Sequence, residues 1–191
     1  PPVSDLAFTE LLDEARAHFD GSELTVSTGK MRRSWRVIKS GLSTYSLQRE
    51  PDGAEWIQRG PEQGARCDWY LFRLIEDGTA AVLSSARAAV IPPEGSMHER
   101  LQVELVFQYV ATEIEIRYVI WVVPGAEGIR TQLGLRALAE HEAEFWPGYL
   151  VDSYAEKLSL DAKGWDRLAV GYYNDTQHRN SLNLPMLKEE R

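Results

Sequence analysis

Two stretches near the middle of the chain constrain the fold more than anything else. Leu101, Val103, Leu105, Phe107 and Tyr109 alternate with Gln102, Glu104 and Gln108. After Ala111-Thr112, the residues Ile114, Ile116, Tyr118 and Ile120 alternate with Glu115 and Arg117. Successive side chains on a strand point to opposite faces, so each run presents one apolar face and one largely polar face. That pattern fits an antiparallel sheet packed on one side. Val119, Trp121 and Val123 make the far end apolar on both faces, which predicts cover on both sides there.

Turn residues divide the rest of the chain into further strands. Trp35 to Ile38 and Leu42 to Leu47 read as a pair joined at Ser40-Gly41. Pro51-Asp52-Gly53 has turn chemistry: Pro presets φ, Asp bonds its own backbone and Gly supplies positive φ. Asp68 to Glu76 and Thr79 to Ile91 read as a hairpin around Asp77-Gly78, a strong short-range turn signal. Pro92-Pro93-Glu94-Gly95 closes it, Pro124-Gly125 ends the long alternating run, and Ile129 to Arg136 returns as another strand. Weaker strands are predicted over 149–154 and 168–173. Residues 4–19 read instead as a helix, with Ser4 as N-cap, Phe8, Leu11, Leu12, Ala15 and Phe19 at helical spacing, and Asp20-Gly21 as the stop. The expected fold is mostly β: an antiparallel β-sandwich, supersandwich-like, with one N-terminal helix. The expected organisation is a helical segment over 1–22, a sandwich domain over 23–173 and a loop or linker over 174–191 leading to a further domain.

Composition bounds what such a chain does. Its 191 residues match one domain, since domains run to roughly 100–200 residues. Lys and Arg number 21 against 29 Asp and Glu, a net charge of −8, which repels nucleic acid and anionic membranes. The densest basic spot, Lys30-Met31-Arg32-Arg33, is too short to be a patch. No run approaches the ~18 apolar residues of a membrane span. The single Cys67 rules out an internal disulfide and any multi-cysteine metal site. The chain starts at Pro1-Pro2, which reads as a piece of a longer protein.

The motifs of common chemistries are missing. Gly29-Lys30 fails the phosphate-loop pattern, because Leu24 and Met31 stand where Gly and Ser or Thr are needed. His18, His98, His141 and His178 have no zinc-ligand spacing, and His141-Glu142-Ala143-Glu144 reads as surface. No metal or cofactor is expected. Cys67 stands next to Asp68, whose charge raises a thiol pKa, so it reads as structural. Gly-x-Ser-x-Gly does not occur. Trp35, Trp69 and Trp121 lie in predicted strands and read as core. Trp56, Trp146 and Trp165 lie near turn residues, where an exposed indole can stack on a sugar ring. Asn174, Asp175, His178 and Arg179 belong to a dense hydrogen-bonding run beside Tyr172 and Tyr173, a composition that suits a recognition loop. Asn174-Asp175-Thr176 also matches the N-glycosylation acceptor pattern.

The segment from Tyr118 through Trp121, Pro124-Gly125 and Ile129-Arg130 to Leu133 resembles part of the N-terminal β-sandwich of α-galactosidase (melibiase)-type glycoside hydrolases. Gly41-Leu42-Ser43-Thr44 and Glu55-Trp56 resemble the opening strands of the same domains, and the likeness spans about residues 30–190. In that family the sandwich is similar to the galactose-mutarotase fold and precedes a catalytic (β/α)₈ barrel. The family's catalytic aspartates lie in the barrel, so none carries over to this chain. The resemblance implies a non-catalytic domain that packs on the catalytic domain of its parent chain and shapes the sugar site, in an exported enzyme. The alternatives are a self-standing carbohydrate-binding module and a small mutarotase-like sugar epimerase. The candidate carbohydrate or domain contacts are Trp56, Trp146, Trp165, Asn174, Asp175, His178 and Arg179.

Overall fold

In a computed structural model the described residues are 6–58, 64, 66–71, 75, 79–140, 156–158 and 160–161. All of them belong to a first compact unit, Pro1–Asp161, and the second unit, Ala162–Arg191, lies outside them. The elements are β1 (Phe8–Leu12), β2 (Ala15–Phe19), β3 (Glu23–Ser27), β4 (Met31–Ile38), β5 (Gly41–Arg49), β6 (Ala54–Glu55), β7 (Val82–Ile91), β8 (Arg100–Tyr109), β9 (Ile114–Val122) and β10 (Arg130–Ala137). They form two antiparallel sheets, one ordered β1-β2-β3-β4-β5-β6 and the other β10-β9-β8-β7. The chain is mostly β, as its alternating pattern predicts.

The expected N-terminal helix is not found. Its residues make the β1–β2 hairpin, with Phe8 opposite Phe19 and Leu12 opposite Ala15. Asp13 takes a left-handed φ of 50° in the two-residue turn, a conformation Asp tolerates better than most residues. Ala15, Ala17 and Phe19 alternate with exposed Arg16 and His18, so a period of two hides within the helical spacing. Burying that alternating face against the second sheet outweighs the weak helix preference of a short segment. The strand expected over 68–76 is not formed in its described part either. Residues 67–69 instead run as irregular chain into the space beside β5, where Asp68 N–H donates to Leu42 O.

One apolar cluster takes side chains from both sheets. Ala15, Ala17, Phe19, Leu24, Val26, Trp35 and Leu42 come from the first, and the inward positions of β8 and β9 come from the second. Each large side chain buried there contributes roughly 1.5–3 kcal/mol. Trp69 is wedged among them, with ring centroids 5.5 Å from Phe107 and 5.3 Å from Tyr118. Its indole N–H donates to the Tyr109 hydroxyl at 2.8 Å, which donates onward to the Ser40 carbonyl at 2.6 Å. The buried indole and phenol therefore satisfy each other. At one end, the β3–β4 turn clasps the Pro124-Gly125 turn. Gly125 N–H donates to Thr28 O at 2.7 Å and Thr28 Oγ1 to Ala126 O at 2.6 Å. Gly29, whose Lys neighbour hinted at a phosphate loop, serves that turn with a φ of 87°.

Trp35 and Trp69 are core, as expected. Trp121 is not. It lies opposite Gln102 on the outer face of the second sheet, half-buried, and its indole N–H donates to Gln102 Oε1 at 3.0 Å.

Candidate functional site

Among the described residues, charge gathers in the interior around Arg33 and Asp68. Inward alternation on β4 runs Met31, Arg33, Trp35, which sends a guanidinium into the apolar layer. Arg33 meets Asp68 from the irregular segment, with Nη2 3.1 Å from Oδ2, and it is also ion-paired to Glu156. Its guanidinium carbon lies 4.6 Å from the Trp35 ring centroid. Asp68 accepts from Thr44 N at 2.8 Å, Thr44 Oγ1 at 2.6 Å and Trp35 Nε1 at 3.1 Å besides Arg33. Glu156 accepts from the Tyr118 hydroxyl at 3.1 Å and Thr131 Oγ1 at 3.2 Å, so it touches the second sheet as well.

A register irregularity makes this arrangement possible. The β4–β5 pairing skips Tyr45, placing Ser46 opposite Ser34 and Thr44 opposite Trp35. Such a bulge re-aims side chains. Thr44 turns in toward Asp68, while the Tyr45 hydroxyl donates to Glu23 at 3.1 Å and its ring lies under Arg36. Burial lifts the Asp68 carboxyl above its ordinary range against the pull of Arg33 and Thr44. Burial works against the charge of Arg33 too, but Tyr118, Glu156 and Asp68 outweigh it and raise its pKa. Tyr118 is pushed up chiefly by burial. These are the marks of a committed internal network: Asp68 has four protein donors, three on Oδ2 and one on Oδ1.

The second feature is a polar groove of about 660 Å³ on the outer face of the first sheet. Arg16, His18, Thr25, Ser27, Arg32 and Glu50 line it. Arg32 Nη2 lies 2.6 Å from Glu50 Oε1, Ser27 Oγ also donates to Glu50, and the His18 ring bonds Thr9 Oγ1 at 2.8 Å. Donors and acceptors alternate there over a few ångströms, the chemistry that suits vicinal hydroxyls.

Of the residues nominated from sequence, only Trp56 is described; Trp146, Trp165, Asn174, Asp175, His178 and Arg179 lie outside the described residues. Trp56 follows β6 and is half-buried, its N–H donating to Leu47 O and its carbonyl accepting from Asp161 N–H, both at 2.8 Å. Beside it Glu55 accepts from Ser46, Leu47, Gln48 and Ile57. Burial raises the Glu55 pKa, but these hydrogen bonds prevail and hold it below the usual value. Cys67, read from the sequence as structural, has its thiol pushed up to about 12 by burial and by Asp68. No group of His, Cys, Asp and Glu fit for a metal ion occurs among the described residues.

Sequence reasoning alone misses Arg33, Asp68 and Glu156. For Arg33 a signal exists, since Met31, Arg33, Trp35 and Val37 share one alternating face. For Asp68 and Glu156 there is none, because their partners come from distant strands. No protein-family model, curated protein or solved structure matches this chain.

Proposed function

We propose that this chain is a non-catalytic β-sandwich module of a larger glycoside hydrolase, packing on a catalytic domain and shaping its sugar site. The observation that carries the reading is the interior charge network. Its buried carboxylate accepts from four protein donors, so the most perturbed groups are engaged in bracing the two sheets. The two sheets share one core, as the sheets of a sandwich do. The segment that carries the α-galactosidase resemblance has the form this reading calls for: β9, a Pro124-Gly125 turn with Gly125 at φ 68°, then β10. Assay of the 191-residue chain on aryl α-galactosides tests it. No turnover is expected. Turnover abolished by a substitution within this chain overturns the reading.

The outer-face groove favours a second reading, a self-standing carbohydrate-binding module. Calorimetric titration with mono- and oligosaccharides separates the two. Millimolar or tighter binding, lost in Arg32→Ala, makes the chain a binding module, and silence leaves it a scaffold.

A further inference from the structure

The outer face of the second sheet carries a row of arginines treated in two different ways. Arg87 and Arg117 flank Glu104, with Arg87 Nη2 at 2.7 Å and Arg117 Nε at 2.6 Å from its carboxylate, and Arg136 Nη2 lies 2.8 Å from Glu115. Each of these guanidiniums has a carboxylate from a neighbouring strand. Arg100 and Arg130 have none among the described residues. Arg100 is only 5% exposed, yet its Nε has no hydrogen-bond partner and its one bond, Nη1 to His98 O, is long at 3.5 Å. What it has is Trp121, whose ring centroid lies 5.0 Å from its guanidinium carbon. Arg130 lies 4.3 Å from the same ring and is exposed.

The register explains why the two meet at one indole. Trp121 on β9 sits opposite Gln102 on β8 and opposite Arg130 on β10. Arg100 is two residues before Gln102 and so on the same face. The two cations therefore approach from the two strands that flank β9. A ring quadrupole attracts cations but does not neutralise them, and a buried guanidinium without an anion is a costly arrangement. A guanidinium's planar fork of donors matches the oxygens of a carboxylate or a phosphate. The contrast with Glu104 and Glu115 on the same face shows what is missing: an oxyanion.

We propose that Arg100 and Arg130, on either flank of Trp121, form a binding site for an oxyanion, the carboxylate or phosphate group of a ligand. Exposed Arg130 makes first contact, and a small shift of the Arg100 side chain brings its buried, unused Nε–H to the same oxyanion. The site is distinct from the interior network and from the outer groove of the first sheet. It does not rest on the glycoside-hydrolase reading: sugar titrations can fail while this site fills.

The test is an NMR titration of the 191-residue chain, following the arginine Nε–H and tryptophan indole signals at constant ionic strength. One arm uses inorganic phosphate and the other acetate. Saturable shifts of the Arg100 Nε–H and Trp121 indole signals are expected in at least one arm. Saturation in both identifies a general oxyanion site, and saturation with phosphate alone identifies a phosphate site. Arg130→Gln, an exposed substitution, is expected to weaken binding about tenfold, the worth of one charge-assisted hydrogen bond. Arg136→Gln, on the same face but paired to Glu115, is expected to leave it unchanged. The proposal is overturned if neither anion gives a saturable shift at about 50 mM, far above a millimolar dissociation constant. It is equally overturned if Arg130→Gln and Arg136→Gln act alike, because the response is then general charge screening.

Discussion

Arg33 and Arg100 are both nearly inaccessible, and both lie over a tryptophan. There the likeness ends. Around Arg33 the protein supplies Asp68, Glu156 and Thr44, and those acceptors are themselves hydrogen-bonded to Tyr118, Thr131 and Trp35. Around Arg100 the described residues supply an indole face and one distant carbonyl. Stacking on an aromatic ring positions a guanidinium, but only anions offset the loss of its hydration. The inner cluster is therefore closed upon itself and acts as a brace. The outer pair leaves the buried Arg100 Nε–H unused beside an exposed Arg130.

Removing each arginine gives the largest test of this contrast. Arg33→Ala leaves Asp68 buried without its cation and is expected to cost about 3–5 kcal/mol, as breaking a buried pair does. Arg100→Met deletes a charge with no carboxylate partner and keeps most of the volume, so the fold should change by less than about 1 kcal/mol or gain stability. Urea denaturation of both variants makes the measurement. Equal losses would mean that the two sites are built alike.

A smaller effect comes from the segment that delivers Asp68 to Arg33. Gly41 has a φ of 135°, and a Cβ there would stand 2.5 Å from Trp69 Cζ2 and 2.9 Å from Cys67 Sγ. Gly41→Ala should push the 67–69 segment off β5 and cost about 1–3 kcal/mol, the range for overpacking a core. Its effect should shrink in an Arg33→Ala background, because the two changes damage one network. A double-mutant denaturation cycle measures that coupling.

Acid titration distinguishes committed carboxylates at a finer scale. The folded-state pKa of Glu55 is depressed, so its contribution is present above the unfolded value of about 4.3 and is lost as pH falls through the folded value. Glu55→Gln should flatten the acid limb of the stability profile below about pH 4 and leave the neutral region nearly parallel to that of the parent. Least of all should Cys67 respond to solvent. With its thiol at about 12, it should resist alkylation at pH 8 in the folded protein and react readily in urea. Rapid labelling of the native chain would show that the 67–69 segment is not packed against Gly41 and Trp69.

Most turns after residue 23 are legible in the sequence, because turn chemistry and alternation act over a few residues. Gly41, Gly53 and Gly125 all take positive φ at turns that the sequence marks. The first hairpin escapes such a reading for a reason that is also local. Phe8, Leu12, Ala15 and Phe19 satisfy a helical stripe and an alternating face alike, and only a sheet for Ala15 and Ala17 to lie against separates the two. Trp121 escapes it because alternation at an end apolar on both faces does not say which face is inside.

The order of strands along each sheet follows the order of the chain, so local pattern alone determined which residues are strands over most of the chain, which of their faces are apolar and where most turns fall. Tertiary structure decided the fate of the charges. Arg33, Asp68, Tyr118, Thr131 and Glu156 are scattered over more than half the chain and meet only when both sheets, the 67–69 segment and Glu156 come together. Arginine has the same composition and propensity whether carboxylates surround it or an indole alone. What separates Arg33 from Arg100 is the field that distant side chains create around each, and that field exists only once the chain is folded.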